Sequence, residues 1–514
     1  FDEVIVGAAE DFGGLTSRVY VVRGDADADF RGTIDLAAGG VDLTIIGAAI
    51  DDNLGSSIAT GDVNGDGIDD LLMCASGADF GGLTGAGIAY LLYGGPSLFA
   101  SPTRDLSSNG TWDVRIIGPV SGGDMGAALF FGGADTHAAD IGNLNGDAFG
   151  DIALGVHRAD GNASLAGRVY AVAGQAFASG TTLQLANSAD YLFAVLGRNT
   201  EDLLGEEVHI GDITGDGLDE LILPNNFFSQ TLFSTEGAVH IFRGRTTWPG
   251  AFNLGFNLSD ITLLGARRWD ELGEAAALGD YNGDGILDLA VAAPGADVGA
   301  QDDDQGDGLV YGLLGTNGLQ TGGFIIDYEF QAPDFLVRGE FQQGLGAEMA
   351  AGDFNGDGID DVAAAQRFAG GATNGTIDLL FGRDFAPAET FDAAQTTDVR
   401  IVGAPGDRIG FALSASDVDS NGVDEVLFGT PFNNGPFSNA FGTAYVFSLL
   451  DGDHDADGDV DLRDYAAFQA CFALPGSPAT NPPCYVYDFD PDGILDGADV
   501  AEFVTRLVGP APSP

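Results

Sequence analysis

A nine-residue acidic pattern recurs along the chain and has the composition of a metal-binding loop. Its first copy, DVNGDGIDD, places oxygen-bearing side chains at alternate positions, on Asp62, Asn64, Asp66 and Asp70. Ca²⁺ takes roughly six to eight oxygen ligands in a flexible geometry, whereas Mg²⁺ requires a smaller octahedral shell. We therefore predict that positions 1, 3, 5 and 9 offer side-chain oxygens to Ca²⁺ and that position 7 offers a backbone carbonyl.

Six copies of the pattern begin at residues 62, 143, 212, 280, 353 and 417. The copy at 143 begins with Asn instead of Asp and carries fewer charges, so we predict that it binds the ion most weakly. The apolar side chain at position 7 is expected to turn into the same repeat and anchor the loop. The predicted ligands are Asp62, Asn64, Asp66, Ile68 and Asp70; Asn143, Asn145, Asp147, Phe149 and Asp151; Asp212, Thr214, Asp216, Leu218 and Glu220; Asp280, Asn282, Asp284, Ile286 and Asp288; Asp353, Asn355, Asp357, Ile359 and Asp361; and Asp417, Asp419, Asn421, Val423 and Glu425.

The overall charge is consistent with cation binding and argues against several other partners. The chain has a formal net charge of −59, and we find no lysine among its 19 basic residues. Such a chain cannot neutralise the phosphates of nucleic acid or of an anionic membrane surface. Because 45% of the residues are hydrophobic and alternate with the acidic ones, we expect a folded protein and not a disordered acidic tail. No segment has the length and apolar character of a membrane-spanning helix.

The segments around each acidic loop predict short β-strands. A strand of small residues precedes the loop, an apolar strand follows it, and a third strand ends in glycine before a fourth strand such as VRIIG. These runs are β-branched, aromatic and bounded by Gly, Asn and Asp, as strands are. Four strands in each of seven repeats predict a seven-bladed β-propeller, in which each blade buries its faces against its neighbours.

The repeats resemble FG-GAP repeats, which form the propeller blades of integrin α-subunits and of many bacterial secreted proteins. The resemblance is carried by Leu-Gly pairs, by GDxNGDGxxD and by AVAAPGAD at 290–297, and it covers roughly residues 1–450. It implies one Ca²⁺ between the first two strands of a blade. Nothing in the loops distinguishes a purely structural ion from one that gates ligand binding.

A second type of acidic loop occurs twice near the C-terminus. Each copy has the spacing of an EF-hand loop with Asp at position 12, and helix-like runs follow at 465–472 and 498–507. This duplication resembles a type I dockerin module, which implies a cohesin partner and a role as a tether; a calcium-stabilised cap without a cohesin is the alternative. The predicted ligands are Asp453, Asp455, Asp457, Asp459, Asp461 and Asp464, and Asp488, Asp490, Asp492, Ile494, Asp496 and Asp499.

We therefore predict an all-β propeller at 1–450, a small α-helical calcium-binding domain at 451–509 and a tail at 510–514. Cys471 and Cys484 flank a short loop where a disulfide is plausible, and this favours an extracytoplasmic compartment. Cys74 lies in an apolar run and is expected to be buried.

The sequence contains no catalytic motif, so we predict that the chain is not an enzyme. Its five histidines, at 137, 157, 209, 240 and 454, lack zinc-ligand spacing, and no nucleophile elbow or phosphate loop is present. Trp269, in ARRWDELG, is either a sugar or carboxylate contact or a loop anchor.

The leading hypothesis is a secreted, calcium-binding adhesion or assembly protein at a bacterial surface. The alternatives are a lectin-like glycan binder, a subunit of an extracellular filament, and a polysaccharide-degrading enzyme.

The predicted strands do not complete the ring. Second and third strands occur seven times, whereas first and fourth strands occur six times each. Since open edges invite pairing, we expect either an upstream segment or another molecule to supply the two strands, the latter giving a homopolymer by strand exchange.

Overall fold

The computed structural model describes residues 3–449, apart from 9–15, 25–33, 35, 37–39, 109, 128–136, 230–234, 257–258, 298–305, 341, 367–373, 394, 404–407, 419–421 and 431–441, together with 477–478 and 494–495. Seven sheets of three to five strands form the blades of a β-propeller. The described residues contain no α-helix, and one 3₁₀ turn covers Asn317–Gln320.

The strands follow in chain order, repeat by repeat. They are β1 (Glu3–Ala8), β2 (Thr16–Arg23) and β3 (Leu43–Ile50); β4 (Leu54–Gly61), β5 (Asp70–Ala75), β6 (Ile88–Leu92), β7 (Thr103–Asp105) and β8 (Val114–Ile117); β9 (Ala139–Gly142), β10 (Asp151–Val156), β11 (Arg168–Val172), β12 (Thr181–Gln184) and β13 (Phe193–Leu196); β14 (His209–Gly211), β15 (Glu220–Asn225), β16 (Ala238–Phe242), β17 (Ala251–Asn253) and β18 (Ile261–Leu264); β19 (Ala276–Gly279), β20 (Asp288–Ala293), β21 (Leu309–Leu313), β22 (Phe324–Asp327) and β23 (Phe335–Arg338); β24 (Leu345–Gly352), β25 (Asp361–Gln366), β26 (Thr376–Leu380), β27 (Glu389–Asp392) and β28 (Val399–Val402); β29 (Leu413–Ser416), β30 (Glu425–Thr430) and β31 (Thr443–Phe447); and β32 (Ser477–Pro478) and β33 (Ile494–Leu495).

Each blade is an antiparallel meander of up to four strands. In blade 2, β4 pairs with β5, β5 with β6 and β6 with β8, and blades 3 to 6 repeat this order. Among the described residues, blade 1 consists of a second, third and fourth strand, and blade 7 of a first, second and third. This distribution agrees with the strand count predicted from the sequence.

A fifth strand, which the sequence analysis did not predict, extends five of the blades. The connection between the third and fourth strands of one repeat pairs in parallel with the outer strand of the preceding blade. β7 pairs with β3, β12 with β8, β17 with β13, β22 with β18, and β27 with β23. These short strands cover outer edges that would otherwise expose unpaired backbone groups.

The hydrophobic core lies between the blades. Second strands such as β5 are buried at every residue. Because side chains alternate across a sheet, Leu71 and Met73 pack toward blade 1, and Leu72 and Cys74 toward blade 3. Cys74 is therefore a small buried apolar residue, as predicted. A smaller cluster around Val4, Val22 and Val418 packs blade 7 against blade 1 and closes the ring.

Candidate metal-binding loops

The six acidic loops each join the first strand of a blade to the second, in blades 2 to 7. The tight path depends on glycine at positions 4 and 6, where the backbone is left-handed. In the first loop Gly65 and Gly67 have φ of 76° and 83°, a conformation that costs little only for glycine. The second loop has Ala148 at position 6, outside the left-handed region.

The position-1 carboxylate fixes the conformation of its own loop. Asp62 Oδ1 accepts hydrogen bonds from the backbone N–H groups of Gly65 and Asp66 at 2.7 and 3.0 Å, and Oδ2 accepts one from Gly67 at 2.8 Å. Asp212 and Asp353 make the same three bonds in their loops. The loop is therefore ordered around its first acidic residue.

The position-9 carboxylate is buried and connects three strands. Asp70 begins the second strand, and its carboxylate accepts hydrogen bonds from Val63 N at 3.1 Å and from Gly94 N, just after the third strand, at 2.9 Å. Corresponding bonds reach Gly174, Gly244, Gly315 and Gly382 from position 9 of the next four loops.

Burial raises the pKa of these position-9 carboxyls. The pKa of Asp70 rises to about 6, those of Asp151 and Asp288 to about 7, and that of Glu220 to about 8, in each case because burial disfavours the charged form. Neighbouring acids, such as Asp212 and Asp216 beside Glu220, add to the shift. A divalent cation at this position would stabilise the ionised form and offset the cost of burial.

The third loop brings its acidic side chains closest together. Ligand atoms of Asp212, Asp216 and Glu220 all lie within 4.8 Å of one another. No other group of three His, Cys, Asp or Glu residues in the described part of the chain meets this spacing. These three residues fit a hard cation, because they supply only oxygen donors and converge on one point. Glu220 is one methylene longer than the Asp found at position 9 of most other loops, and this lengthens its reach.

The other predicted loop ligands lie at equivalent places without that convergence. The amide of Asn64 lies 3.1 Å from the Asp70 carboxylate, so positions 3 and 9 are adjacent; the amides of Asn145, Asn282 and Asn355 also face position 9. In the last loop, Asp419 and Asn421 lie outside the described residues. The ligand assignments remain predictions.

The position-7 side chain contacts its own blade, as the sequence predicts, and also the preceding loop. In blade 5, a Cβ built on Gly315, just after the third strand, would lie 2.8 Å from Ile286 Cγ2. The outer end of the side chain packs on the position-4 glycine of the preceding loop. A Cβ built on Gly65 would lie 2.8 Å from the Phe149 ring, and one on Gly215 would lie 2.8 Å from Ile286 Cδ1. Leu218 and Ile359 occupy the same place over Gly146 and Gly283. A second anchor is at position 2: Val63, Leu144, Ile213, Tyr281, Phe354 and Val418 are all buried.

Adjacent loops are also hydrogen-bonded to one another. Asp360, at position 8, accepts a bond from Asp280 N at 2.8 Å and donates its own N–H to Asp280 O at 3.1 Å. Asp424 makes the same reciprocal pair with Asp353, and Asp219 makes it with Asn143. Position 1 of one loop is thus fixed by position 8 of the next, so an ion in one loop would act on an interblade contact.

The C-terminal EF-hand-like positions lie almost entirely outside the described residues. Ile494 is the exception: it begins β33, which pairs with β32. The remaining predicted ligands of this module, its helices at 465–472 and 498–507, and the Cys471–Cys484 pair all fall in undescribed segments, so they remain predictions.

The structure brings together two histidines that the sequence analysis treated as unrelated. The rings of His137 and His209 have centroids 5.7 Å apart, and His209 Nε2 lies 2.7 Å from Glu207 Oε1. That carboxylate also accepts the backbone N–H of Ala276 at 2.9 Å, so it joins blades 4 and 5. The sequence could have indicated this contact only if the repeats had been aligned with one another, so that both histidines were seen to lie near the first strands of adjacent blades.

Comparisons with known proteins agree with this architecture. The family model of the FG-GAP repeat matches residues 54–92 and 272–313. These segments contain the first and fourth acidic loops with their flanking strands, so the chain carries FG-GAP repeats on an all-β, seven-bladed propeller.

Several curated proteins are similar over part of the chain. Mouse integrin alpha-IIb (Mus musculus) is 29% identical over 32% of this chain and 15% of its own length, and chicken integrin alpha-V (Gallus gallus) is 26% identical over 45% and 20%. A phosphatidylinositol-glycan-specific phospholipase D of Dictyostelium discoideum is 26% identical over 36% of the chain and 20% of that protein. The aligned part of this chain thus spans a fifth or less of these relatives.

Within the described residues, no helix has both the length and the hydropathy needed to cross a membrane.

Proposed function

We propose that this chain is an extracellular adhesion or assembly scaffold whose propeller is stabilised by bound Ca²⁺. The observation that carries the proposal is the convergence of Asp212, Asp216 and Glu220 within 4.8 Å in a loop type that recurs in blades 2 to 7. The similarity to integrin α-subunits supports an interaction scaffold of this kind. Secretion and a bacterial surface location are parts of the same proposal.

Cations would contribute to the fold through the contacts between loops. The buried position-9 carboxylates of the first five loops each join three strands of a blade, and positions 7 and 8 contact the preceding loop. Neutralising the carboxylates by an ion therefore stabilises both a blade and its interface with the neighbour. Metal affinity then becomes free energy of folding.

The C-terminal module is proposed to be the tether. Its paired EF-hand-like loops would bind two further Ca²⁺ ions and present a surface to a cohesin-like partner. This part of the proposal depends on the sequence pattern of residues 451–509.

We further propose that the chain acts without catalysis. The relative named as a phospholipase D shares a fifth of its length with this chain, and the predicted metal-binding loops offer an explanation for most of the carboxylate pairs in the sequence. Turnover of a phosphatidylinositol glycan by the purified chain would contradict this part of the proposal.

The cation part is tested by counting bound ions and measuring stability in the same preparation. We expect elemental analysis after dialysis to find several Ca²⁺ per chain, and Glu220→Gln to bind one ion fewer, or to bind one at least about tenfold more weakly. Glu201→Gln, at an exposed position outside the loops, is the control and should bind the full number. An unchanged ion count in Glu220→Gln would refute the assignment of that loop.

The adhesion part needs a separate measurement. Beads coated with the full chain should attach to the surface of the producing cells in millimolar Ca²⁺ and detach in excess chelator. If beads carrying Glu220→Gln attach as well as wild-type beads, the ion in that loop has a structural role only. If Ca²⁺-loaded wild-type beads do not attach at all, the scaffold function is contradicted.

A further inference from the structure

An exposed aromatic surface lies at the outer end of blade 4, on the side of the ring opposite the acidic loops. Its rings are Trp269 and Phe330, which are 39% and 77% exposed. They follow the parallel strands β18 and β22, whose ends meet at the pair Leu264 and Asp327. Because the strands of a blade alternate in direction, the end of the fourth strand lies opposite the loop between the first and second.

The backbone at Trp269 is left-handed, with φ of 69°. The same position in the four other interblade loops that the structure describes is also left-handed and exposed, and it holds a polar residue or glycine: Asp51, Gly122, Glu201 and Gln342, with φ between 59° and 65°. A bulky residue at positive φ costs roughly 1–2 kcal/mol. The turn therefore does not explain a tryptophan at this place in the fold, and the residue stays 39% exposed.

Phe330 is unusual among its own structural equivalents. It is the residue whose N–H closes a turn after the fifth strand, bonding to Asp327 O at 2.9 Å. In blades 1, 2 and 5 the equivalent turn residues are Ser108, Asn187 and Gln395, which make the same type of bond. Phe256, in the neighbouring turn, is the one other aromatic at this position and is 86% exposed.

Two arginines precede the tryptophan. Arg267 and Arg268 are exposed, and Arg268 Cζ lies 4.7 Å from the Trp269 ring centroid. The equivalent loop beside Phe256 has Asn199, Thr200 and Glu201 instead. Blade 4 therefore combines two exposed aromatic rings with two guanidinium groups, whereas blade 3 presents a phenylalanine without either arginine.

The loop that carries these side chains is held firmly. The buried Asp270 carboxylate accepts the N–H of Arg267 at 2.7 Å, and Asp270 O accepts the N–H of Gly295 at 3.2 Å. Two residues before Phe330, the ring of Tyr328 stacks on that of Tyr311 with centroids 4.4 Å apart. A ligand would therefore meet a preorganised surface and would lose little binding energy in ordering it.

We propose that Trp269, Phe330, Arg267 and Arg268 bind a uronate-containing polysaccharide. Pyranose rings present apolar C–H faces that pack on exposed aromatic rings, and a guanidinium pairs with a sugar carboxylate through two parallel hydrogen bonds. The chain's net charge of −59 opposes a polyanion at long range. At physiological ionic strength, however, charges more than about 8 Å away are largely screened, so this long-range repulsion is reduced. This inference rests on the proposed scaffold function and names the ligand class of its binding surface.

Tryptophan fluorescence provides a direct test on the full chain. Trp112 and Trp248 are only 5% and 8% exposed, so the response to an added ligand reports mainly on Trp269. Short oligogalacturonate chains should change the emission in a saturable way at fixed Ca²⁺ concentration. A neutral oligosaccharide of equal length and an oligoglutamate peptide should bind at least tenfold more weakly.

Substitutions that introduce the equivalent residues of other repeats test the role of each side chain. Calorimetry measures the affinity of each variant for the same oligogalacturonate. Trp269→Gln reproduces the side chain at position 342, and Arg267→Asn with Arg268→Thr reproduces blade 3. Each should weaken binding at least tenfold, whereas Phe256→Gln should leave it unchanged. Equal affinity in Trp269→Gln, equal binding of the neutral sugar or the peptide, or no binding of oligogalacturonate by wild type would each overturn the proposal.

The ion count and melting temperature of each variant separate this inference from the scaffold function. The aromatic surface lies away from the acidic loops, so Trp269→Gln should keep its Ca²⁺ and its Ca²⁺-dependent stability. Loss of saccharide binding with intact Ca²⁺ binding supports the surface. A wild-type chain that binds Ca²⁺ and ignores oligogalacturonate refutes the surface alone.

Discussion

At the scale of single residues, the glycine after each third strand is important because it has no side chain to keep the third strand away from the acidic loop. Gly94 donates its N–H to the buried Asp70 carboxylate. A Cβ built on it would lie 2.1 Å from Asp69 O, and Gly174, Gly315 and Gly382 are crowded by backbone oxygens in the same way. The glycine therefore allows the third strand to approach the loop closely enough for that hydrogen bond.

We predict that Gly94→Ala destabilises the protein by about 2–3 kcal/mol, since the added methyl group can be accommodated only by moving the backbone. Denaturant unfolding measures the change. Gly250→Ala is the matched control: no atom lies within 4 Å of a Cβ at Gly250, and its backbone is not left-handed. Equal effects of the two substitutions would show that close packing at Gly94 is unimportant.

A buried histidine provides a prediction about pH. Burial lowers the pKa of His240 to about 4, with a further contribution from Arg198, whereas the ordinary value is 6.5. The unfolded chain therefore takes up a proton first as the pH falls, and the folded state loses stability between pH 6.5 and 4.

Relative to His240→Gln, the wild-type protein should lose about 2 kcal/mol of unfolding free energy between pH 7.5 and pH 5. The comparison is made in saturating Ca²⁺, because the buried loop carboxyls have raised pKa values and would shift stability in the opposite direction. Parallel pH profiles for the two proteins would indicate that His240 titrates normally in the folded state.

Among the strands and loops, each acidic loop after the first is joined to the preceding loop as well as to its own blade. The apolar residue at position 7 reaches the glycine of the preceding loop, and the acidic residue at position 8 bonds to position 1 of that loop. The fifth strands make a similar connection at the outer edges. Each repeat is thus joined to the previous one at both its loop and its rim.

We predict that Ile286→Ala lowers stability by about 1 kcal/mol, because its half-buried side chain packs on the loop at Gly215. Ile68 occupies the same position in the first loop, where it is 45% exposed. Ile68→Ala is therefore the control and should change the unfolding free energy by less than about 0.5 kcal/mol. A larger loss in Ile68→Ala than in Ile286→Ala would contradict the interloop contact.

Across the complete propeller, charge and ring closure are linked. The chain has 78 acidic residues, and many lie in loops on one side of the propeller. The hydrophobic clusters between blades oppose the repulsion among these acids, and among the described residues the cluster that joins blades 7 and 1 is smaller than those between the other blades. Removing cations should therefore weaken the entire ring.

We predict that excess chelator lowers the melting temperature strongly and exposes the acidic loops to protease. Added sodium chloride should raise the melting temperature of the chelated protein more than that of the Ca²⁺-loaded protein, because salt screens the unneutralised carboxylates. Differential scanning calorimetry and limited proteolysis measure the two effects. A melting curve that chelator leaves unchanged would remove the structural role proposed for the ions.

The all-β class, the number of blades and the loops between first and second strands could be predicted from the amino-acid sequence alone. These features follow from local patterns: the repeated acidic spacing, strand-like apolar runs and glycines at the turns, all of which recur along the chain. The burial of Cys74 could likewise be predicted from its apolar neighbours.

The contacts between repeats could not be predicted in this way, because they depend on the twist and stacking of blades and not on neighbours in the chain. The folded ring places Ile286 on the preceding loop, adds fifth strands to outer edges, and brings His137 beside His209. It also leaves Trp269 exposed, whereas the pattern ARRWDELG was compatible with either a ligand contact or a loop anchor. Local sequence specifies a strand or a turn, whereas the side of a blade that meets its neighbour is set by the packing of the whole ring.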